Sequence, residues 1–118
     1  MGVAENKQVA RDLFEQFFNQ RQVAVIDELV THDFIDHSPH SQQVVGAAGL
    51  VWLNAMLHEI CPDLRFDVED IIGEGDVVAV RNTLRGIMDD GDPLEERALV
   101  WLRFRDGRIA ERWSGLMR

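Results

Sequence analysis

The chain has 118 residues, with 12 Lys and Arg against 21 Asp and Glu, a formal charge of -9. That balance leaves too few cations for a phosphate-binding surface, so neither nucleic acid nor an anionic membrane is expected as a partner. Hydrophobic residues make up 46%, enough to bury a core and too many for a disordered chain, so residues 1–118 read as one domain. The longest apolar runs, such as Val77-Val78-Ala79-Val80, are far too short to span a bilayer. The polar start, Met1 to Gln8, has no secretory pattern. A single Cys61 forms no intrachain disulfide, so a reducing cytoplasm is expected, with Cys61 as a buried structural thiol.

The first half reads helical. Ala10, Leu13, Phe14, Phe17 and Phe18 recur at three- and four-residue steps, predicting a helix from about Ala4 to Asn19 with one broad apolar face. A short second helix follows, with Val23, Ile26, Leu29 and Val30 on one side and Asp27 and Glu28 on the other. Thr31 to Gln43 is polar and irregular and contains Pro39. Gly46 and Gly49 then lead into a third helix, whose buried face is marked by Leu50, Leu53, Leu57 and Ile60 and which Pro62 stops. His58 is expected to face solvent or to cap that helix.

The second half changes period. Apolar and charged residues alternate from Leu64 to Glu69, as in a half-buried strand, and the slip of phase at Ile71-Ile72 suggests a bulge. Gly73 to Asp76 is a hairpin loop, and a long strand runs from Val77 to about Met88. Asp89 to Pro93 is a turn, Glu95 to Arg105 a second long strand, Asp106-Gly107 a two-residue hairpin signal, and Arg108 to Leu116 the last strand. Helices followed by consecutive hairpins give an α+β domain: a curved antiparallel sheet packed on three N-terminal helices and enclosing a pocket.

These segments resemble a known family. Asp33-Phe34-Ile35-Asp36-His37-Ser38-Pro39, Cys61-Pro62-Asp63-Leu64, Gly75-Asp76-Val77-Val78-Ala79-Val80-Arg81 and the run from Arg105 to Trp113 are similar, in order, to the SnoaL-like polyketide cyclases of the nuclear-transport-factor-2-like superfamily. The resemblance implies a cone with a deep pocket, a homodimer built through the outer sheet face, no cofactor, and acid/base closure of a ring by a carboxylate. Related epoxide hydrolases on this fold use two carboxylates bridged by an arginine. Three departures stand out. Arg85-Gly86-Ile87-Met88 lacks the histidine of the cyclases' Gly-Thr-His, the turn from Asp89 to Pro93 is short, and no Asp follows Trp113.

Candidate site residues follow from chemistry and from that resemblance. His37 can move a proton near neutral pH, with Asp33 or Asp36 holding its tautomer, or it simply bonds backbone groups in a turn. Arg81, mid-strand among valines, needs an acceptor if buried; it is expected to face the pocket with Val77, Ala79 and Thr83, the alternative being an ion pair with an acid such as Glu111. Glu111 is the acid nearest the family's catalytic position and shares a face with Trp113. Trp52, Met56, Thr83, Trp101 and Trp113 are candidate walls for a flat or cyclic ligand, or else core and interface residues. His32, Asp33, Asp36, His37 and His40 are of metal-ligating type, but Phe34, Ile35 and Pro39 disrupt a metal-binding spacing, and no metal is expected. The leading expectation is a pocket for a small apolar or cyclic molecule with cofactor-free proton-transfer chemistry. Alternatives are a non-catalytic binding or dimerisation module, favoured by the missing terminal acid, and an epoxide-hydrolase type with two acids flanking Arg81.

Overall fold

A computed structural model describes residues 2–38 and 45–117. Helix α1 (Val3–Asp12) runs on without a break into a π-helical stretch, Leu13–Asn19. The wider turn there closes with Gln20 N–H donating to the Glu15 carbonyl, and it packs Leu13, Phe14, Phe17 and Phe18 together inside the core. The short second helix expected is a 3-10 turn at Val23–Val25 followed by a single α-helical turn, α2 (Ile26–Leu29). The expected third helix is α3 (Ala48–Ile60).

The stretch read as irregular is in part a strand, β1 (Val30–Asp36). It then joins β2 (Arg65–Glu74), β3 (Val77–Ile87), β4 (Pro93–Arg105) and β5 (Arg108–Leu116) in one sheet of order β1-β5-β4-β3-β2. The pairing of β1 with β5 is parallel, so the sheet is mixed rather than wholly antiparallel. The β2 bulge falls between Val68 and Asp70, ahead of Ile71-Ile72. A second irregularity between Arg103 and Phe104 puts Phe104 opposite Ile109 and Arg103 opposite Glu111. These breaks bend the sheet around the phenylalanine-rich end of the first helix.

Three anchors hold helices to strands. Phe18 stacks on Phe66 with ring centroids 4.6 Å apart. Asn19 closes the helix against β2, donating from Nδ2 to the Phe66 carbonyl at 2.9 Å and accepting from its N–H at 2.7 Å. Below α3, Asp63 accepts the Ile87 N–H at 2.8 Å, while Gly86 brings bare backbone against Cys61. A Cβ on Gly86 would lie 2.4 Å from Cys61 Sγ. Cys61 is fully buried, and burial, followed by the neighbouring Asp63, pushes its thiol above the ordinary range. His58 is buried rather than at the surface, its Nδ1 3.0 Å from the Asn54 carbonyl one turn earlier in α3.

Candidate functional site

Strand β4 shows which face of the sheet is inner. Ala98, Val100, Leu102 and Phe104 are buried, while Arg97, Leu99, Trp101, Arg103 and Arg105 are exposed. Through the register, Val100 opposite Val80 and Ala98 opposite Asn82, the inner side of β3 is Val78, Val80, Asn82 and Leu84. On β5, Arg112 and Ser114 face inward opposite Leu102 and Val100. On β1 the inner residues are Phe34, Asp36 and Ser38, the last just past the strand.

Between this concave face and the helices lies a cavity of about 350 Å³. Phe14 and Phe18 of the first helix, Leu53, Met56 and Leu57 of α3, and Ala98 and Val100 of β4 make its apolar wall. Met88, Leu94, Glu96 and Leu116 line the end where β3 stops and β4 begins, and their partial or full exposure makes this end the mouth. A larger trough of about 690 Å³ runs over the outside between the first helix and the start of β2. Its walls are mainly surface side chains such as Gln8, Arg11, Glu15 and Arg65, and among the described residues that line it none has a buried, unbonded polar atom.

Apart from Glu96 at the mouth, the described lining is apolar with two polar stations. At one, Arg112 Nη1 donates to Asp36 Oδ2 at 2.8 Å and to Ser38 Oγ at 3.1 Å. Ser38 donates from Oγ to Asp36 Oδ1 at 2.5 Å and from its N–H to the same oxygen at 2.9 Å, and Ser114 Oγ lies 3.0 Å from Ser38 Oγ. The Arg112 and Asp36 side chains are only 7% and 6% exposed. Burial pulls the Arg112 guanidinium below the usual arginine range, and the charge and hydrogen bond of Asp36 push it back up. Its Nε is buried without a hydrogen-bond partner. The second station is Asn82, 1% exposed, with neither Oδ1 nor Nδ2 bonded.

Of the residues singled out in the sequence, Asp36 belongs to the first station and Met56 to the wall. Most of the others are carried by the outer face. Arg81, expected to point inward, is exposed there and paired with Asp70, Nη2 to Oδ2 at 2.7 Å. Thr83 is covered but donates to Glu69 on the same outer side. His37 stacks on Trp113 at 4.6 Å, with its Nε2 3.3 Å from Glu111. Arg103 lies over the same tryptophan and 3.5 Å from Glu111. Trp101, opposite Trp113 in the register, is 48% exposed. Trp52 sits on the exposed side of α3 at 42%. The reason is phase: Glu111 and Trp113 do share a face, but it is the convex one, and Arg81 shares it across the sheet. Arg81 is thus outside the lining of the concave cavity, where an epoxide-hydrolase arrangement would need it.

The metal-type cluster is likewise dispersed. Asp33 pairs on the outside with Arg105, which holds its carboxyl below the usual range. Asp36 points in, His37 points out, and His40 and Pro39 lie outside the described residues. Among the described residues no group of three His, Cys, Asp or Glu could hold a metal ion. No helix among them is long and apolar enough to cross a membrane.

The SnoaL-like polyketide cyclase family matches residues 8–116, nearly the whole chain. The chain belongs to that family. Among solved structures, a candidate polyketide cyclase from Bacillus cereus is 26% identical with a TM-score of 0.86, over 95% of this chain and 74% of the other. IdmH, a candidate polyketide cyclase from Streptomyces antibioticus, is 27% identical with a TM-score of 0.82, over 94% and 91%. A candidate SnoaL-like cyclase from Jannaschia, at 24% identity, a TM-score of 0.86 and coverage of 97% and 86%, shares the fold. No curated protein matches the chain. Within this SnoaL-like domain, sequence reasoning missed Ser38, Asn82, Glu96, Arg112 and Ser114. The available signal was the alternation of β4, whose three outward arginines set the phase of both neighbouring strands.

Proposed function

We propose that this SnoaL-like domain binds a small, neutral, mostly apolar cyclic molecule in the cone, with a carbonyl oxygen accepting from Arg112 Nε. One observation carries this reading: the lining of an apolar cavity includes Arg112 and Asn82, side chains with buried polar atoms that the fold leaves unbonded. Leaving such groups unmet costs about 1–3 kcal/mol each, and a ligand oxygen would recover it. Neutrality follows from charge, because Asp36 cancels Arg112 and Glu96 at the mouth would repel an anion.

The chemistry such a site supplies is polarisation of a carbonyl by a fixed donor, which stabilises an enolate during proton transfer. Asp36 has its oxygens engaged by Arg112 and Ser38, so it anchors the guanidinium. Among the described residues that line the cavity Glu96 is the carboxylate, so we assign the proton transfer to it, with cyclisation or isomerisation without a cofactor as the reaction class. The test is exchange of the protons next to the carbonyl of a bound cyclic ketone in deuterated buffer. Exchange lost in Glu96→Gln supports catalysis, binding without exchange leaves a pure binding module, and absence of any binding refutes the reading.

A second property is favoured by the convex face, where Ile72, Leu99 and Trp101 are 67%, 53% and 48% exposed. A homodimer through this face would cover them. Trp101→Glu converting a dimer to a monomer in light scattering supports it, and a monomeric parent protein removes it. The cytoplasm is the compartment we propose, on the single buried thiol.

A further inference from the structure

The two polar stations are separate, and their chemistry differs. Asn82 sits opposite Ala98, which sits opposite Leu116, whereas Arg112 sits opposite Leu102, which sits opposite Val78. The stations are therefore four residues apart along the strands and two strands apart across them. At about 3.3 Å per residue and about 4.8 Å per strand, the backbones are roughly 16 Å apart before the curvature of the sheet shortens the path. Arg112 widens the separation, because its Nη1 is turned toward Asp36 and Ser38 on the β1 side, away from β3. Ala98 and Val100, both apolar, form the floor between.

One oxygen cannot serve both stations. Arg112 Nε offers a donor only, so it meets an acceptor such as a ketone oxygen. Asn82 offers a donor and an acceptor side by side, so it meets a group that both accepts and donates. Asn19 shows what satisfies such an amide in this same chain: it takes both the N–H and the C=O of Phe66. Size follows from volume. A dry cavity of about 150 Å³ accommodates benzene, so one of about 350 Å³ accommodates about fourteen non-hydrogen atoms, which is two fused rings with substituents.

Resting on the pocket reading above, we infer that the ligand is a two-ring compound with a ketone at one end and a hydroxyl or lactam edge at the other, and that Asn82 is the residue selecting for the second group.

Four probes test this by isothermal titration: tetralin, α-tetralone, tetrahydro-2-naphthol and 6-hydroxy-α-tetralone. The expected result is that 6-hydroxy-α-tetralone binds at least tenfold more tightly than either one-oxygen compound. Asn82→Leu should erase the gain from the hydroxyl while preserving the gain from the ketone. If α-tetralone binds and the added hydroxyl brings nothing, or brings the same gain in Asn82→Leu, the two-station inference is overturned while the pocket reading stands. If none of the four binds, the pocket reading falls and the inference falls with it.

Discussion

Asn82→Leu should make the protein more stable while damaging the proposed binding site, a combination that a structural role for Asn82 would not produce. The amide is 1% exposed, and both its polar atoms are unbonded in the folded chain. Each such atom costs about 1–3 kcal/mol, part of which water entering the cavity recovers, and Leu adds apolar area against Leu84, Ala98 and Val100. A net gain of about 1–3 kcal/mol is expected, equivalent to a rise of roughly 4–12 °C in melting temperature for a domain of this size. Urea unfolding followed by tryptophan fluorescence measures it, with an unchanged slope confirming that the unfolded state is the same. Asn19→Leu is the matched control. There the same substitution strips both partners from the Phe66 backbone and should cost about 1–2 kcal/mol. Opposite signs at the two asparagines are the expected result. Destabilisation by more than about 1 kcal/mol at Asn82 would refute the argument, because the amide would then have to be bonded within the protein.

Asp36→Asn leaves the buried Arg112 charge uncompensated and should cost about 3–5 kcal/mol. The double variant Asp36→Leu with Arg112→Met should recover most of that loss in the same urea assay. Gly86→Ala forces Cys61 or the β3 backbone to move and should cost about 1–3 kcal/mol, read as a shift in melting temperature. Cys61, buried with its thiol held protonated, should react with a disulfide reagent only as fast as the protein opens. Its stabilisation is complete below the unfolded thiol value of about 8.5 and declines as pH rises toward the higher folded value, so Cys61→Ala should flatten the alkaline limb of the stability curve.

The fold was legible wherever local chemistry and global packing agreed. The phenylalanine stripe, the Gly-led third helix and the Asp106-Gly107 turn, with φ of 52° and 81°, each mark a single local solution, and all three appear in the structure. Strand β1 was illegible because only Phe34 and Asp36 of its second half point inward, and one of these is charged. Its existence is decided by a parallel partner more than seventy residues away, which no local pattern reports.

The site was hidden by the same inversion at two strands. In Val77-Val78-Ala79-Val80 both faces are apolar, so alternation alone leaves the side of Arg81 open, and the conspicuous charge distracts from the neighbouring Asn82. On β5 the irregularity beside Ile109 places Ile109 and Arg112, three apart, on one face. Strict alternation from Ile109 would instead have put Glu111 and Trp113 inside. A bulge so placed has a chemical consequence. It aims Arg112 into the cone beside Asp36, its neighbour in the parallel register, and leaves His37, Glu111, Trp113 and Arg103 as a stacked cluster on the convex side. The parallel β1–β5 pairing and the β5 bulge together create the buried ion pair, and through it the unbonded Nε on which the proposed ligand contact rests.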